Sequence, residues 1–186
     1  MIITLLTNAS MINKDIRELL RKMPPRKIEI TVYGYTKEIF KNVTKSSINQ
    51  NIIFRNIEVL KEDGHNILLK MIVMKENKIE FDKIKEYAKQ RNIPFQYDFN
   101  ILPTLKGNRN VIEHELSVDD VICLEIADGK KNQWGVRIEN YDLESNKKVS
   151  CGCGKFSYAI ASNQLVKKCT FMEEIEEKIF YIIENL

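Results

Sequence analysis

Two stretches decide the fold: Lys27 to Val32, reading KIEITV, and Ile67 to Met74, reading ILLKMIVM. The first alternates strictly and sets Ile28, Ile30 and Val32 on one face. The second is apolar throughout except for Lys70. Alternating runs and short continuous apolar runs are strands. Between them Ile53, Ile57 and Leu60 form one helical stripe, closed by Asp63-Gly64. A strand, a helix and a second strand with this spacing make a right-handed crossover with parallel strands.

The same alternation extends outward. Ile2-Ile3-Thr4-Leu5-Leu6 is a β-branched and apolar run, stopped by Thr7-Asn8-Ala9-Ser10, and reads as a strand buried on both faces. Asn13 can cap a helix in which Ile16, Leu19, Leu20 and Met23 fall at helical spacing, ended by Pro24-Pro25. Downstream, Phe81, Ile84 and Ala88 mark a helix that ends near Asn92, before Pro94. Phe95, Tyr97, Phe99 and Ile101 give a fourth strand, stopped by Pro103. The class is therefore α/β. Four parallel strands are too few for a closed barrel. A parallel sheet with bare edges invites aggregation, so the edges are covered or the chain is one piece of a larger architecture.

The character changes after Pro103, and a boundary near residue 105 separates residues 1–105 from residues 106–186. Gly107 to Glu115 is polar and loop-like. Ser117-x-x-Asp120 resembles a capping box opening a short helix through Val121, Ile122 and Leu124. Trp134 to Ile138 reads as a short strand. Ile175, Ile179, Ile182 and Ile183 read as the stripe of a last helix, with Glu173, Glu174, Glu176 and Glu177 outside.

Composition narrows the function. The 186 residues are 44% hydrophobic and 30% charged, as in a soluble globular protein. The net charge of +3, from 29 basic and 26 acidic residues, is too small to indicate nucleic acid. No apolar run is long enough to span a membrane, and MIITLLTNAS lacks the features of a signal peptide. The expectation is a cytoplasmic protein whose four cysteines are thiols or metal ligands before they are disulfides.

Cys151-Gly152-Cys153-Gly154, followed by Cys169, carries the main chemical signal. Thiolates two residues apart on a glycine-flanked turn suit zinc or iron–sulfur. By spacing alone, three idle thiols are an equal reading. Cys123, in VICLEI, reads as core packing. His65 and His114 read as surface residues without metal-pair spacing. Tyr33, Tyr35 and Tyr141 are candidates to stack on a base or simply to pack. Lys70 needs a partner or an anionic ligand if buried, or else it snorkels from a partly open face. No P-loop, Gly-x-Gly-x-x-Gly or Gly-x-Ser-x-Gly occurs.

Four segments occur in an order that resembles a known family: Ile3 to Ser10 (ITLLTNAS), Lys27 to Thr36 (KIEITVYGYT), Leu69 to Asn77 (LKMIVMKEN) and Cys151 to Cys169 (CGCGKFSYAIASNQLVKKC). They resemble the later part of peptide-modifying radical SAM proteins with a SPASM-type C-terminal extension, over almost the whole chain. The matching positions are Thr7 and Asn8, with Ala9 in place of a glycine; Ile30, Thr31, Tyr33 and Gly34; Lys70 and Asn77; Cys151, Gly152 and Gly154, with Cys153 in place of an alanine; Ser157, Ile160 and Cys169.

The resemblance implies a partial (β/α) TIM-like barrel with parallel strands, followed by a small, shortened α+β extension containing the cysteines. It implies S-adenosylmethionine (SAM) at Asn8, Gly34, Lys70 and Asn77, with the Tyr33-Gly34 turn near the nucleoside. It implies an auxiliary iron–sulfur cluster on Cys151 and Cys169, with Cys153 as a third local thiolate and Cys123 as a candidate fourth. The Cys-x-x-x-Cys-x-x-Cys loop that cleaves SAM is not in the sequence; nor is the Gly-Gly-Glu segment. Ala161 and Gln164 replace the family's Asp and Gly, and no further cysteine follows Cys169.

Three readings follow. The first is a truncated or split radical SAM polypeptide, inactive alone, whose partners are a peptide substrate, a missing N-terminal half supplied as a separate chain, or a second copy. The second is a non-catalytic metal- or partner-binding α/β module. The third is an unrelated α/β fold with spare thiols.

Overall fold

The computed structural model describes residues 2–102, 109–129, 158–161, 165–167 and 177–178. Its first unit holds residues 1–102 with 111–124, and its second holds 103–110 with 125–186. Residues 111–124 thus group with the strands that precede them.

The first unit is built on four strands: β1 (Thr4–Thr7), β2 (Lys27–Thr31), β3 (Ile67–Ile72) and β4 (Phe95–Asp98). They lie in chain order, and every pairing is parallel. The register sets Leu5 beside Ile28, Ile30 beside Leu69, and Met71 beside Tyr97. Consecutive parallel strands joined by right-handed crossovers send every connecting helix to the same side of the sheet. That is the winding of a partial TIM-like barrel, as opposed to a sheet covered on both faces.

Four helices lie among the crossovers: α1 (Lys14–Lys22), α2 (Lys37–Thr44), α3 (Gln50–Glu62) and α4 (Phe81–Gln90). Their starts follow local chemistry. The Asn13 side chain accepts from Ile16 N at 2.9 Å, and Thr36 Oγ1 accepts from Ile39 N. Asp63 caps α3, and Gly64, at φ +80°, turns the chain into β3. Asn92 does the same after α4 at φ +51°.

The core lies between this helical layer and one face of the sheet. Ile28, Ile30, Leu69, Met71 and Val73 are buried against Ile53, Ile57, Leu60, Phe81, Ile84 and Ala88. The other face carries Lys27, Glu29, Thr31, Leu68, Lys70 and Ile72, all half-buried, with Gln96 and Asp98 exposed. The strands are thus deeply buried on one face only.

Several expectations are corrected here. β1 is an edge strand, not one buried on both faces: Leu6 is 69% exposed, and Ile2 and Ile3 are exposed beside it. In α1 only Leu20 is buried, while Leu19 and Met23 face outward, because no strand lies beyond β1 among the described residues. β4 ends at Asp98, whose carboxylate accepts from the amides of Phe99 and Asn100 and turns the chain. α2 was not foreseen, since it buries only Phe40.

Residues Asn110–His114 form a short 3-10 turn, and α5 (Val118–Ala127) follows, with Ser117 Oγ accepting from Asp120 N. Cys123 is exposed on this helix rather than packed in a core. In the second unit, β5 (Ala159–Ile160), β6 (Leu165–Lys167) and β7 (Glu177–Lys178) form an antiparallel sheet. β7 lies inside the expected last helix. Isoleucine-rich segments suit strands as well as helices, and pairing with β6 decides the matter. Trp134–Ile138 and the rest of the expected last helix fall outside the described residues.

Candidate functional site

Parallel β/α sheets bind ligands beyond the carboxyl ends of their strands. Here those ends carry Asn8 and Ala9 after β1, Tyr33 to Thr36 after β2, Met74 to Glu80 after β3, and Asp98 to Asn100 after β4.

Two buried side chains tie the second and third of these turns together. Asn77 is 0% exposed. Its Nδ2 donates to Tyr33 O at 3.1 Å and to Ile72 O at 3.0 Å, and its Oδ1 accepts from Met74 N at 2.7 Å. Both amide hydrogens are therefore committed to carbonyls. Glu80 is 1% exposed. Its Oε2 accepts from Tyr35 N at 2.7 Å and Thr36 N at 3.1 Å. Such charge-assisted bonds to backbone amides are the strong kind. Gly34 has its own steric reason: a Cβ there would lie 2.5 Å from Phe40 N.

At β1 the chain enters the left-handed region at Ala9, φ +56°. Asn56, 3% exposed on α3, donates to Ala9 O at 2.7 Å. Asn8 uses its Oδ1 to accept from the amide and hydroxyl of Ser10, while its Nδ2 has no partner among the described residues.

Lys70 lies lower on the open face, in register with Thr31. Its Nζ is 3.0 Å from Glu29 Oε2, and Lys27 Nζ is 2.6 Å from Glu29 Oε1. These bonds, from Lys27 first and Lys70 second, hold the Glu29 carboxyl below its ordinary range against the opposing effect of burial. Lys70 is thus partnered, and two ammoniums share one carboxylate. Alternation carries Tyr33 onto this same face, and burial pushes its phenol up. Tyr35 turns the other way and packs with Phe54 and Tyr87 on the helical layer.

The β3–α4 turn also holds the segment that follows the sheet. Lys75 N donates to His114 O, Lys75 Nζ donates to Glu113 O, and Lys78 pairs with Asp120 at 2.7 Å. His114 Nδ1 stands 2.6 Å from Glu76 Oε1. Burial, the largest single effect, pushes the Glu76 carboxyl up, but the His114 bond, a backbone bond and the nearby His114 and Lys75 charges together leave the group below its usual range.

The structure therefore brings Gly34 and Asn77 together through Tyr33, leaves Asn8 at the end of β1, and sets Lys70 within the sheet. Sequence reasoning missed Glu80, Asn56 and the Glu76–His114 pair. Among the described residues no group of three or more His, Cys, Asp or Glu could hold a metal ion. Cys151, Cys153 and Cys169, the expected metal ligands, lie outside the described residues. Between Cys153 and Cys169 the described residues pair as a hairpin: Ala159 with Lys167, Ile160 with Val166, and Ala161 N donates to Leu165 O at 2.9 Å. No helix among the described residues is long and apolar enough to cross a membrane.

No family model matches the chain, and no curated protein matches it by sequence. Solved structures do. Native anSMEcpe with bound AdoMet and a Kp18Cys peptide is similar over 90% of this chain, at 17% identity and a TM-score of 0.54. The same protein with AdoMet alone is similar over 93% at 13% identity, and with AdoMet and a Cp18Cys peptide over 91% at 16% identity, both with a TM-score of 0.55. That protein is an anaerobic sulfatase-maturating enzyme of the radical SAM/SPASM kind. This chain spans about half the length of those structures, 51–52%. The likeness shows a shared fold: a partial TIM-like α/β sheet of the type found in radical SAM enzymes.

Proposed function

We propose that this chain is the latter part of a radical SAM/SPASM-like, peptide-modifying polypeptide of the cytoplasm. The single observation that supports this best is the fold likeness to an AdoMet-bound enzyme across nine-tenths of the chain. The order of ITLLTNAS, KIEITVYGYT, LKMIVMKEN and the cysteine segment adds to it.

The mouth suits a nucleoside cofactor in two respects. The Tyr33–Thr36 turn is fixed by buried bonds before any ligand arrives. Polar groups remain on the open side at Asn8, Thr31, Tyr33 and Lys70. SAM, held there, would supply the radical chemistry. Gly34 lets the turn run close against Phe40, Asn77 and Glu80 hold it, and Lys70 with Glu29 keeps the open face polar. The donor set Cys151, Cys153 and Cys169 suits an auxiliary iron–sulfur cluster. The sequence contains no Cys-x-x-x-Cys-x-x-Cys to hold a SAM-cleaving cluster, so that cluster would come from another segment or chain, alongside a peptide substrate.

The alternative is a non-catalytic metal- or partner-binding α/β module, as a homo-oligomer or with another protein. It is favoured by the apolar residues exposed along β1, Ile2 and Leu6.

Anaerobic titration of the iron-reconstituted chain with SAM, followed by reduction and product analysis, tests the proposal. Binding without 5′-deoxyadenosine is expected. 5′-Deoxyadenosine above a no-protein control would overturn the idea that the chain is inactive alone. Absence of binding would leave the module reading.

A further inference from the structure

Glu80 presents an ion buried at the rim of the mouth, yet neither composition nor motif singles it out. Its carboxylate is 1% exposed, and the nearest cation, Lys83 Nζ, is 3.8 Å away. Burying a carboxylate is costly unless it is well bonded. This one is spent on two consecutive backbone amides, Tyr35 N and Thr36 N.

Those amides belong to the turn that Asn77 holds from the other side through Tyr33 O. Thr36 in turn caps α2, and Gly34 sits directly under Phe40 at the start of that helix. The β2–α2 turn is therefore held from the β3–α4 turn, across the gap between neighbouring strands.

We propose that Glu80 is the positioning residue of the mouth: it presets the Tyr33–Thr36 turn in the form that receives the nucleoside. This rests on the functional reading above. A carboxylate is the group this role requires. Oε2 accepts from both amides, Oε1 accepts from Thr36 N as well at 3.3 Å, and the negative charge strengthens each bond. A glutamine offers one oxygen and would turn an NH2 group toward an N–H. An aspartate is one methylene too short to reach.

The test joins amide hydrogen exchange with SAM titration on the full chain. In the wild type, the Tyr35 and Thr36 amides should be protected although their turn lies outside the strands. Exchange at the unprotected rate would overturn the proposal without any variant. In Glu80→Gln both amides should exchange at least about tenfold faster, while Ile28 and Ile30 in β2 stay protected. SAM affinity should fall about tenfold as well, the loss expected for one charge-assisted bond.

Asp63→Asn serves as the control. It disturbs α1 and α3 just before β3 begins, at the opposite end of the sheet, and should leave affinity unchanged for a comparable drop in melting temperature. Faster exchange with unchanged affinity in Glu80→Gln would make Glu80 merely structural and overturn the proposal. If the wild type binds no SAM, the nucleoside reading of the mouth is what fails. The exchange results then decide separately whether Glu80 holds the turn.

Discussion

Lys70 Nζ lies 3.0 Å from Glu29 Oε2, across the β2–β3 pairing and on the open face of the sheet. The other Glu29 oxygen is taken by Lys27. The three charges are unequal partners. Removing Lys70 leaves Glu29 with one cation, whereas removing Glu29 leaves two facing ammoniums with no anion between them.

Glu29→Gln should therefore destabilise the protein more than Lys70→Met does. The cost is about 1 kcal/mol, since both lysines are about a third exposed. The pH dependence has a definite sign. The Glu29 carboxyl titrates lower in the folded protein than in the unfolded chain, so its stabilisation is complete above the unfolded value and is lost as pH falls through the folded one. Urea denaturation at neutral pH should separate wild type from Glu29→Gln, and the gap should close on acidification. A gap that widens in acid would contradict the assignment.

Ala9 stands at φ +56° with its side chain buried. Glycine there would relieve left-handed strain of about 1 kcal/mol and lose a buried methyl of similar worth. Ala9→Gly should fall within about 0.5 kcal/mol of wild type. Ala88→Gly, inside α4 and equally buried, loses both helix propensity and the methyl, and should cost about 2 kcal/mol. Equal losses in chemical denaturation would refute the left-handed reading of Ala9.

Asn77→Asp should be worse than Asn77→Ala. Alanine leaves the carbonyls of Tyr33 and Ile72 without a donor, at about 2–4 kcal/mol. Aspartate adds a carboxylate facing those same two carbonyls. The order would reverse if the side chain were in water, so the two denaturation midpoints decide it.

For the cysteines, anaerobic iron and sulfide should give charge-transfer absorbance that Cys151→Ala with Cys169→Ala abolishes. Cys123→Ala should leave it intact, because that thiol is exposed on α5. It should also be the residue whose loss most slows reaction with a thiol reagent in the metal-loaded protein. Absorbance that survives the double substitution would remove the cluster from the proposal.

Much of the fold was legible in the residues. The strands around KIEITV and ILLKMIVM, the Asn13 cap and the Asp63-Gly64 stop all stand where local chemistry put them. Each depends on neighbours in the chain: an alternation, a cap, a residue that tolerates positive φ. Of the candidate site, Gly34 and Asn77 were legible as residues, but their work was not. Glu80 was invisible for a simple reason: an acidic residue at the start of a helix ordinarily reads as a solvated charge facing the helix dipole.

The sequence by itself determined that strands and helices alternate, that the strands run parallel and that the chain is α/β, because periodicity and crossover length are local and obligatory. Only the tertiary structure decided which strand is an edge, which face the helices cover, and where a polar side chain finds its partner. Leu6 and Leu69 are the same residue type in the same kind of run, yet one is 69% exposed and the other 0%. Glu80 reaches the Tyr35 amide 45 residues back along the chain. Burial and hydrogen bonding are set by what lies across space, and no local pattern encodes the identity of that neighbour.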